Sequence, residues 1–340
     1  VETGCGEGSN FNDNDYSEAG AEVCYDKKEI YACNLIFKVA PPSEHEVDMM
    51  TGNQTFISAL QISIQPKEVL QKLIKKKITA IAWDYITDET GVFSVVRTLG
   101  EIAGTTSVLI AGELLSCYAS GKGMILGGIA GVQPTEVVII GAGTVGESAT
   151  RSALGLGASV KVFDNSLSKL RRLQNNIGSK VYTSIIQPKV LAKAIRRADV
   201  VIGAIRSPFG KTPCIVSETM VESMKTGSVI VDVSIDQGGC FETSKVTNHI
   251  EPTFIKHGVI HYCVPNIASR VSRTASFALS NIFSPLLLEM GDNGSSADFI
   301  SRNEGFRNGV YIYKGVLTNE ILGKVFDLKY KNIELLLPRI

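Results

Sequence analysis

Val137-Val138-Ile139-Ile140-Gly141-Ala142-Gly143-Thr144-Val145-Gly146 is the stretch on which the fold of this chain turns. The four apolar residues read as a buried parallel strand. Thr144 to Leu156 then carries Val145, Ala149, Ala153, Leu154 and Leu156 at helical spacing, and Ser159 to Phe163 reads as the next strand, closed by Asp164. In such a strand, glycine turn, helix, strand, acid unit each part has a task. Gly141 permits the tight turn, Gly143 removes a side chain that would block a pyrophosphate, and Gly146 lets helix and strand approach closely. The phosphates meet unpaired N–H groups at the start of the helix, beside Thr144 and Val145. A carboxylate at Asp164 can accept hydrogen bonds from an adenosine ribose and would repel a 2′-phosphate, so the pattern predicts NAD rather than NADP. The competing readings are a glycine turn that binds nothing and Asp164 as a surface acid.

Outward from this unit the alternation continues. Leu167 to Ile177 reads as a helix, Lys180 to Thr183 as a short strand, Pro188 to Ala198 as a helix begun by proline, and Asp199 to Ala204 as a buried strand. Ser217 to Met224 is predicted as a helix capped by Ser217, with Gly227 suited to its exit. Val229 to Val233 and Val259 to Val264 complete six strands, the rhythm of a Rossmann-type doubly wound parallel sheet with helices on both faces. Earlier in the chain, Asn34 to Val39 and Ile78 to Trp83 read as strands, Pro66 to Lys76 as a helix and Glu101 to Cys117 as a long apolar helix. Lys75-Lys76-Lys77 reads as a solvated helix end opposing the macrodipole rather than a binding patch. Ala275 to Met290 reads as a return helix, and the tail from Asp292 is polar and poorly patterned. The expected architecture is α/β with two domains: a nucleotide domain over 97–272 and a discontinuous second α/β domain for substrate over 1–96 and 273–340. A cleft between them would hold the ligand.

Composition sets limits. At 340 residues the chain exceeds one typical core. Lys plus Arg and Asp plus Glu number 34 each, so no net field is available to attract nucleic acid or an anionic membrane, and neither is expected as a partner. No apolar stretch approaches the roughly 20 residues of a bilayer span. Cys5, Cys24, Cys33, Cys117, Cys214, Cys240 and Cys263 form no CxxC pair and are odd in number, which reads as reduced thiols of an intracellular, cytoplasmic protein. No metal site is expected: His257 and His261 stand four apart, but Gly258-Val259-Ile260 suggests a turn into a strand, which separates them.

Beyond these readings, Gly227-Ser-Val-Ile-Val-Asp232-Val-Ser-Ile-Asp236-Gln237-Gly238-Gly239-Cys240 is long and unusual. With Val1-Glu-Thr-Gly-Cys-Gly-Glu-Gly, Gly127-Gly-Ile-Ala-Gly-Val and His261-Tyr-Cys-Val-Pro-Asn266, it resembles the alanine dehydrogenase family, which shares its fold with the NAD(H)-binding subunit of proton-pumping transhydrogenase. The resemblance runs from residue 1 to about residue 320. It implies reversible oxidative deamination of L-alanine to pyruvate and ammonium with NAD, in a symmetric homo-oligomer, a hexamer or a dimer. The family begins with a further strand and a substrate-binding arginine, so the chain is expected to be a fragment of a longer protein.

Carried over residue by residue, the resemblance assigns cofactor contacts to Gly141, Gly143, Thr144, Val145, Gly146, Asp164, Lys169, Ile205, Val233, Gln237 and Asn266. Lys169 falls on the adenosine side, Gly203-Ala204-Ile205 under the adenine, and Asn266 beside the nicotinamide. Asp236 matches the family's catalytic aspartate, as acid/base or as a nucleotide-positioning carboxylate. The substrate half departs from the pattern. The family's Lys-Val-Lys-Glu-Pro reads here Lys38-Val39-Ala40-Pro41-Pro42, placing alanine at the catalytic lysine, and the family's catalytic histidine falls on Gln61. Glutamine exchanges no proton near neutrality. Lys38, two residues before Ala40 on a strand, would share its side and could face the cleft, displaced by roughly 7 Å; alternatively it is a strand-end lysine with its ammonium in solvent or near the nucleotide. Transhydrogenase NAD(H) subunits also lack the two groups, but their partner-meeting loop is rich in Arg and Gln, whereas Thr87-Asp88-Glu89-Thr90-Gly91 is acidic. Two functions therefore follow: an NAD-dependent dehydrogenase of alanine or a related small amino or oxo acid with an altered catalytic set, or an NAD(H)-binding protein without amino-acid oxidation.

Overall fold

The computed structural model describes residues 1–60, 66–116, 120–207, 211–292 and 295–337. Backbone contacts divide the chain into two units, Val1–Thr98 with Ser272–Ile340, and Leu99–Val271. In chain order the strands are β1 (Leu35–Phe37), β2 (Thr55–Ser58), β3 (Thr79–Ala82), β4 (Glu136–Ile140), β5 (Ser159–Phe163), β6 (Tyr182–Ser184), β7 (Val200–Gly203), β8 (Val229–Asp232), β9 (Thr253–Lys256), β10 (Val259–Tyr262), β11 (Val310–Tyr313) and β12 (Val316–Leu317).

The second unit is a seven-stranded sheet in the order β6-β5-β4-β7-β8-β10-β9. Six strands are parallel, and their order reverses between β4 and β7, the switch point at which doubly wound sheets open a ligand crevice. Alternation along the strands divides the core in two. Val137, Ile139, Val200, Ile202, Val229 and Val231 pack on one face; Val138, Ile140, Val201 and Ile230 pack on the other. The first face is covered by the helices Ser94–Leu115 and Thr144–Gly155, the second by Pro188–Arg197 and Glu218–Glu222.

Several local expectations are corrected. The short strand expected over Lys180 to Thr183 is Tyr182–Ser184, set by its pairing with Lys161–Phe163. A seventh strand, β9, joins the sheet antiparallel to β10, through a two-residue turn with His257 at φ 54° and Gly258 at φ 72°. Two positive φ values are what a type I′ hairpin turn requires, and His–Gly is a weaker signal for it than Asn–Gly. Ser217 sits at the cap position, but its hydroxyl bonds Thr219; the carboxylate of Glu242, 24 residues on, accepts the Glu218 N–H at 2.7 Å instead. The helix ends at Ser223, so Gly227 serves the turn into β8.

The first unit has a five-stranded sheet, β1-β2-β3-β11-β12, with β1 to β3 parallel and β11 antiparallel to β3. The helix Lys67–Lys75 buries Val69, Leu70 and Leu73 against Phe56, Ile78 and Ala80. Each such fully buried side chain contributes about 1.5–3 kcal/mol. The lysine run is more than solvated: Lys76 Nζ donates to the carbonyls of Asp48 and Met50 at 2.7 and 2.5 Å, satisfying the end of the helix Glu44–Met49. The poorly patterned segment from Asp292 carries regular elements among its described residues. After the helix Ser272–Asp292, β11 and β12 form a hairpin that buries Tyr311, Ile312 and Leu317 in the core of the first hundred residues. Its partner strand lies some 230 residues earlier, beyond the reach of local pattern. Among the described residues, no helix is long and apolar enough to cross a membrane.

Candidate nucleotide-binding site

The three glycines differ in what surrounds them. Gly141 has φ 116°, and a Cβ there would lie 2.3 Å from the Ala204 carbonyl oxygen, so backbone of β7's exit and of the glycine turn touch directly. A Cβ on Gly146 would lie 1.9 Å from the Gly141 carbonyl oxygen. Gly143 is different: nothing lies within 4 Å of its missing Cβ, and as N-cap of the helix Thr144–Gly155 it supplies no side-chain acceptor. Uncapped helix N–H groups facing open space could hold a phosphate. The helix Ser94–Leu115 presses on the same element, since a Cβ on Gly104 would lie 2.3 Å from the Val145 carbonyl oxygen.

Asp164 is tied to this loop. One carboxylate oxygen accepts the Ala142 N–H at 2.7 Å and the other the Ser166 N–H at 2.7 Å. Arg172, which sequence reasoning missed, donates to the Ala142 carbonyl at 3.2 Å from the following helix. Each Asp164 oxygen retains a lone pair, so bracing the loop and accepting ribose hydroxyls are compatible. Lys169 lies in the first turn of the helix Leu167–Ile177 with an exposed side chain.

Beyond β7, Gly203 is hemmed by Cys240, Asp232 and Phe241, each within 2.7 Å of where a Cβ would lie. The Ile205 N–H donates to Ser234 Oγ at 3.0 Å, and the Gln237 amide grips Ser207 twice, accepting its N–H at 2.9 Å and donating to its carbonyl at 3.0 Å. Val233 packs half-buried against the sheet core. The organiser of this corner is Asp232, buried and unassigned by sequence reasoning. It accepts from the N–H groups of Ser234 and Cys240, both at 3.0 Å, and from the Ser244 hydroxyl at 2.6 Å. Burial pushes its carboxyl up, and those three donors act against the rise. The resulting turn over Val233–Gln237 projects Asp236, whose Oδ1 accepts the N–H of Asn266 at 2.8 Å. Asp236 keeps an exposed face, yet desolvation by the protein around it raises its carboxyl above the ordinary value, the Asn266 N–H opposing. Asn266 itself holds φ 51°, a left-handed conformation that asparagine tolerates. Thus Gly141, Gly143, Gly146, Asp164, Ile205, Gln237, Asp236 and Asn266 all stand at the carboxyl ends of β4, β5, β7, β8 and β10.

His261 and His257 point to different partners. His261 is fully buried, stacked on Phe254 at 4.7 Å and bonded to Thr243, and burial lowers it to about 4; His257 meets Glu218 at 2.7 Å. Cys5, Cys24, Cys33, Cys214, Cys240 and Cys263 are free thiols, and Cys117 lies outside the described residues.

In the first unit, Lys38 follows β1 and its ammonium meets Glu46 at 2.5 Å. Glu46 is also the capping-box acid of the helix Glu44–Met49, accepting the Ser43 N–H at 2.7 Å. Burial alone would raise Glu46; hydrogen bonds from Lys38, the Ser43 N–H and Tyr31 overcome it and take the carboxyl down to about 2. Ala40 is exposed and carries no functional group. Gln61 lies outside the described residues.

A doubly wound sheet whose switch-point glycine loop presents an open helix N-terminus, with an acid braced on the next strand, defines the class: a dinucleotide-binding protein of the oxidoreductase type. Residues 107–320 match the C-terminal domain, and residues 1–103 the N-terminal domain, described as Alanine dehydrogenase/PNT. The chain belongs to this alanine dehydrogenase/PNT family, whose domains bind NAD(H). It is 37% identical over 335 residues to alanine dehydrogenase 2 of Staphylococcus aureus (strain USA300), covering 98% of this chain and 90% of that one. A solved L-alanine dehydrogenase matches with a TM-score of 0.89 at 34% identity, over 96% of this chain and 90% of the other. The transhydrogenase from Sinorhizobium meliloti shares the fold, with a TM-score of 0.77 at 24% identity over 94% and 89%.

Proposed function

We propose that this chain is an NAD-dependent dehydrogenase acting on alanine or a related small amino or oxo acid, with the unit Leu99–Val271 as its nucleotide domain and the other unit as its substrate domain. The observation that carries the reading is the Asp236–Asn266 pair, presented by the Asp232-anchored turn at the same strand ends as the glycine cradle. NAD, when bound, supplies the acceptor for the substrate's Cα hydride. The Gly143 cradle and the N–H groups beyond it hold phosphate, Asp164 selects the unphosphorylated ribose, and Ile205, Val233 and Gln237 shape the bed beyond. Asp236, raised by desolvation, holds or releases the proton at the substrate's amine or oxo position. In this reading the protein is cytoplasmic and homo-oligomeric, a hexamer or dimer.

A second reading, NAD(H) binding without amino-acid oxidation, draws on Ala40 and on Lys38, whose ammonium is already engaged by Glu46. The two are separated by following NADH formation on a panel of small amino acids, with NAD binding measured independently. Turnover on at least one is expected; tight NAD binding with no turnover on any would transfer the assignment to the second reading.

A further inference from the structure

Strands β2 and β3 begin side by side at Thr55 and Thr79, which are register partners. A cavity of about 380 Å³ opens at this end of the sheet, opposite the strand ends from which Lys38 and Ala40 follow. Its described lining includes Asn53, Thr55, Lys77, Thr79, Ser296 and Lys314, and among the described residues no carboxylate. Among the described residues, neither the Lys77 nor the Lys314 ammonium lies within ion-pair distance of an acid; that of Lys314 rests 5.4 Å from the centre of the Tyr313 ring.

The hydroxyl chemistry points the same way. Thr79 Oγ1 accepts the Lys314 N–H at 3.2 Å, which leaves its own proton to donate. Thr55 and Ser296 share one hydrogen bond at 2.7 Å, so one of these two hydroxyls still has a proton to give. Both lysines are solvent-exposed, and with these O–H donors they give the described lining the positive, donor-rich character that an anion would match.

Local backbone turns set where these side chains stand. Asn53, Lys77 and Lys314 hold φ of 59°, 55° and 47°. For a lysine this left-handed conformation costs on the order of 1 kcal/mol, and three of the eight such non-glycine residues among those described line this one cavity. Lys77 takes this conformation at the end of the helix Lys67–Lys75, where its N–H bonds the Ile74 carbonyl, and Lys314 takes it in the two-residue turn between β11 and β12, before Gly315 at φ 79°.

We propose that this cavity binds the phosphate group of a small phosphomonoester, as a site separate from the nucleotide cradle. Lysines and hydroxyls arranged as point donors suit a tetrahedral dianion, whereas a planar carboxylate is best held by an arginine fork, and the described lining contains no arginine. The volume falls in the range of small-molecule pockets and exceeds what bare phosphate fills.

The test is calorimetric titration of the full chain, held in saturating NAD so that the glycine loop is filled, with glycerol 3-phosphate, inorganic phosphate and succinate. Saturable binding of glycerol 3-phosphate is expected, weakened at least tenfold in Lys77→Asn and in Lys314→Asn, with NAD affinity unchanged. Asparagine tolerates the left-handed backbone, so both variants should fold; Thr79→Val, which removes one donor and no charge, should weaken binding several-fold and serves if a lysine variant does not. Absence of saturable binding, binding unaffected by these substitutions, displacement of NAD by the phosphomonoester, or succinate binding equally well would each overturn the proposal.

Discussion

The glycine loop at Gly141 and the strand end at Lys38 occupy equivalent places, each following a parallel strand of its own sheet, yet they are built in opposite ways. At the loop the backbone does the work, and the decisive residues lack side chains: at two glycines an added Cβ would lie less than 2.5 Å from a backbone oxygen, and at the third it would meet open space. At Lys38 side chains do the work, and they satisfy one another, Lys38 with Glu46 and Glu46 with Tyr31 and Ser43. A site is left open where the protein withholds its own partners. The first region leaves its helix N–H groups uncapped beside open space, while in the second the charges pair with one another.

The comparison is broken most severely at Gly146. Gly146→Ala drives a methyl into the Gly141 carbonyl, and on the order of 3 kcal/mol or more of stability should be lost in urea unfolding, together with NAD binding. Gly143→Ala is its counterpart. With nothing within 4 Å, stability should stay within about 0.5 kcal/mol while NAD affinity falls at least tenfold; a loss of stability similar to that of Gly146→Ala would show that Gly143 is structural.

A pH titration sharpens the contrast between filled and open polar positions. His261 is buried neutral, with its folded pKa at about 4, below the ordinary 6.5. The unfolded chain therefore takes up the proton first, so stability is full above about pH 6.5 and falls as pH drops toward 4, by roughly 3 kcal/mol in all. Chemical denaturation across that range should show the slope, and His261→Gln should remove it.

At Asp164, substitution by alanine should lower the preference for NAD over NADP at least tenfold and cost roughly 1–3 kcal/mol through the two released N–H groups. Unchanged cofactor preference would leave the residue a loop brace alone. The smallest effect on binding is expected at Glu46→Gln, which should cost roughly 1–3 kcal/mol of stability and leave NAD affinity within twofold. If the variant also raises the KM for the amino acid, Lys38 reaches substrate from this anchor.

Much of the nucleotide half was legible because its information is local. The strand, glycine turn, helix and acid fall within about thirty consecutive residues, and the helix Leu167–Ile177 begins and ends where its pattern says. Asp236 and Asn266 were readable only through family resemblance, since no local rule makes a carboxylate thirty residues away accept the Asn266 N–H. Arg172 gave a charged helical surface residue and no other signal. Asp232 ended an apolar strand and looked like any strand-end acid, until the fold wrapped Cys240 and Ser244 around it. The tail failed for the same reason: Val310–Tyr313 alternates too briefly to declare a strand until β3 pairs with it.

What the sequence by itself determined is the doubly wound sheet, the glycine turn that follows β4 and the lack of a functional group at Ala40. These depend on period, on glycine at particular spacings and on which functional groups a side chain possesses. Tertiary structure alone decided that Glu46 holds Lys38, that Asp232 braces the Asp236 turn, and that two lysines and three hydroxyls share a cavity at the start of β2 and β3. In each case the partners are separated along the chain, and what a charged or hydroxyl group does is set by the groups that folding brings within about 3 Å of it.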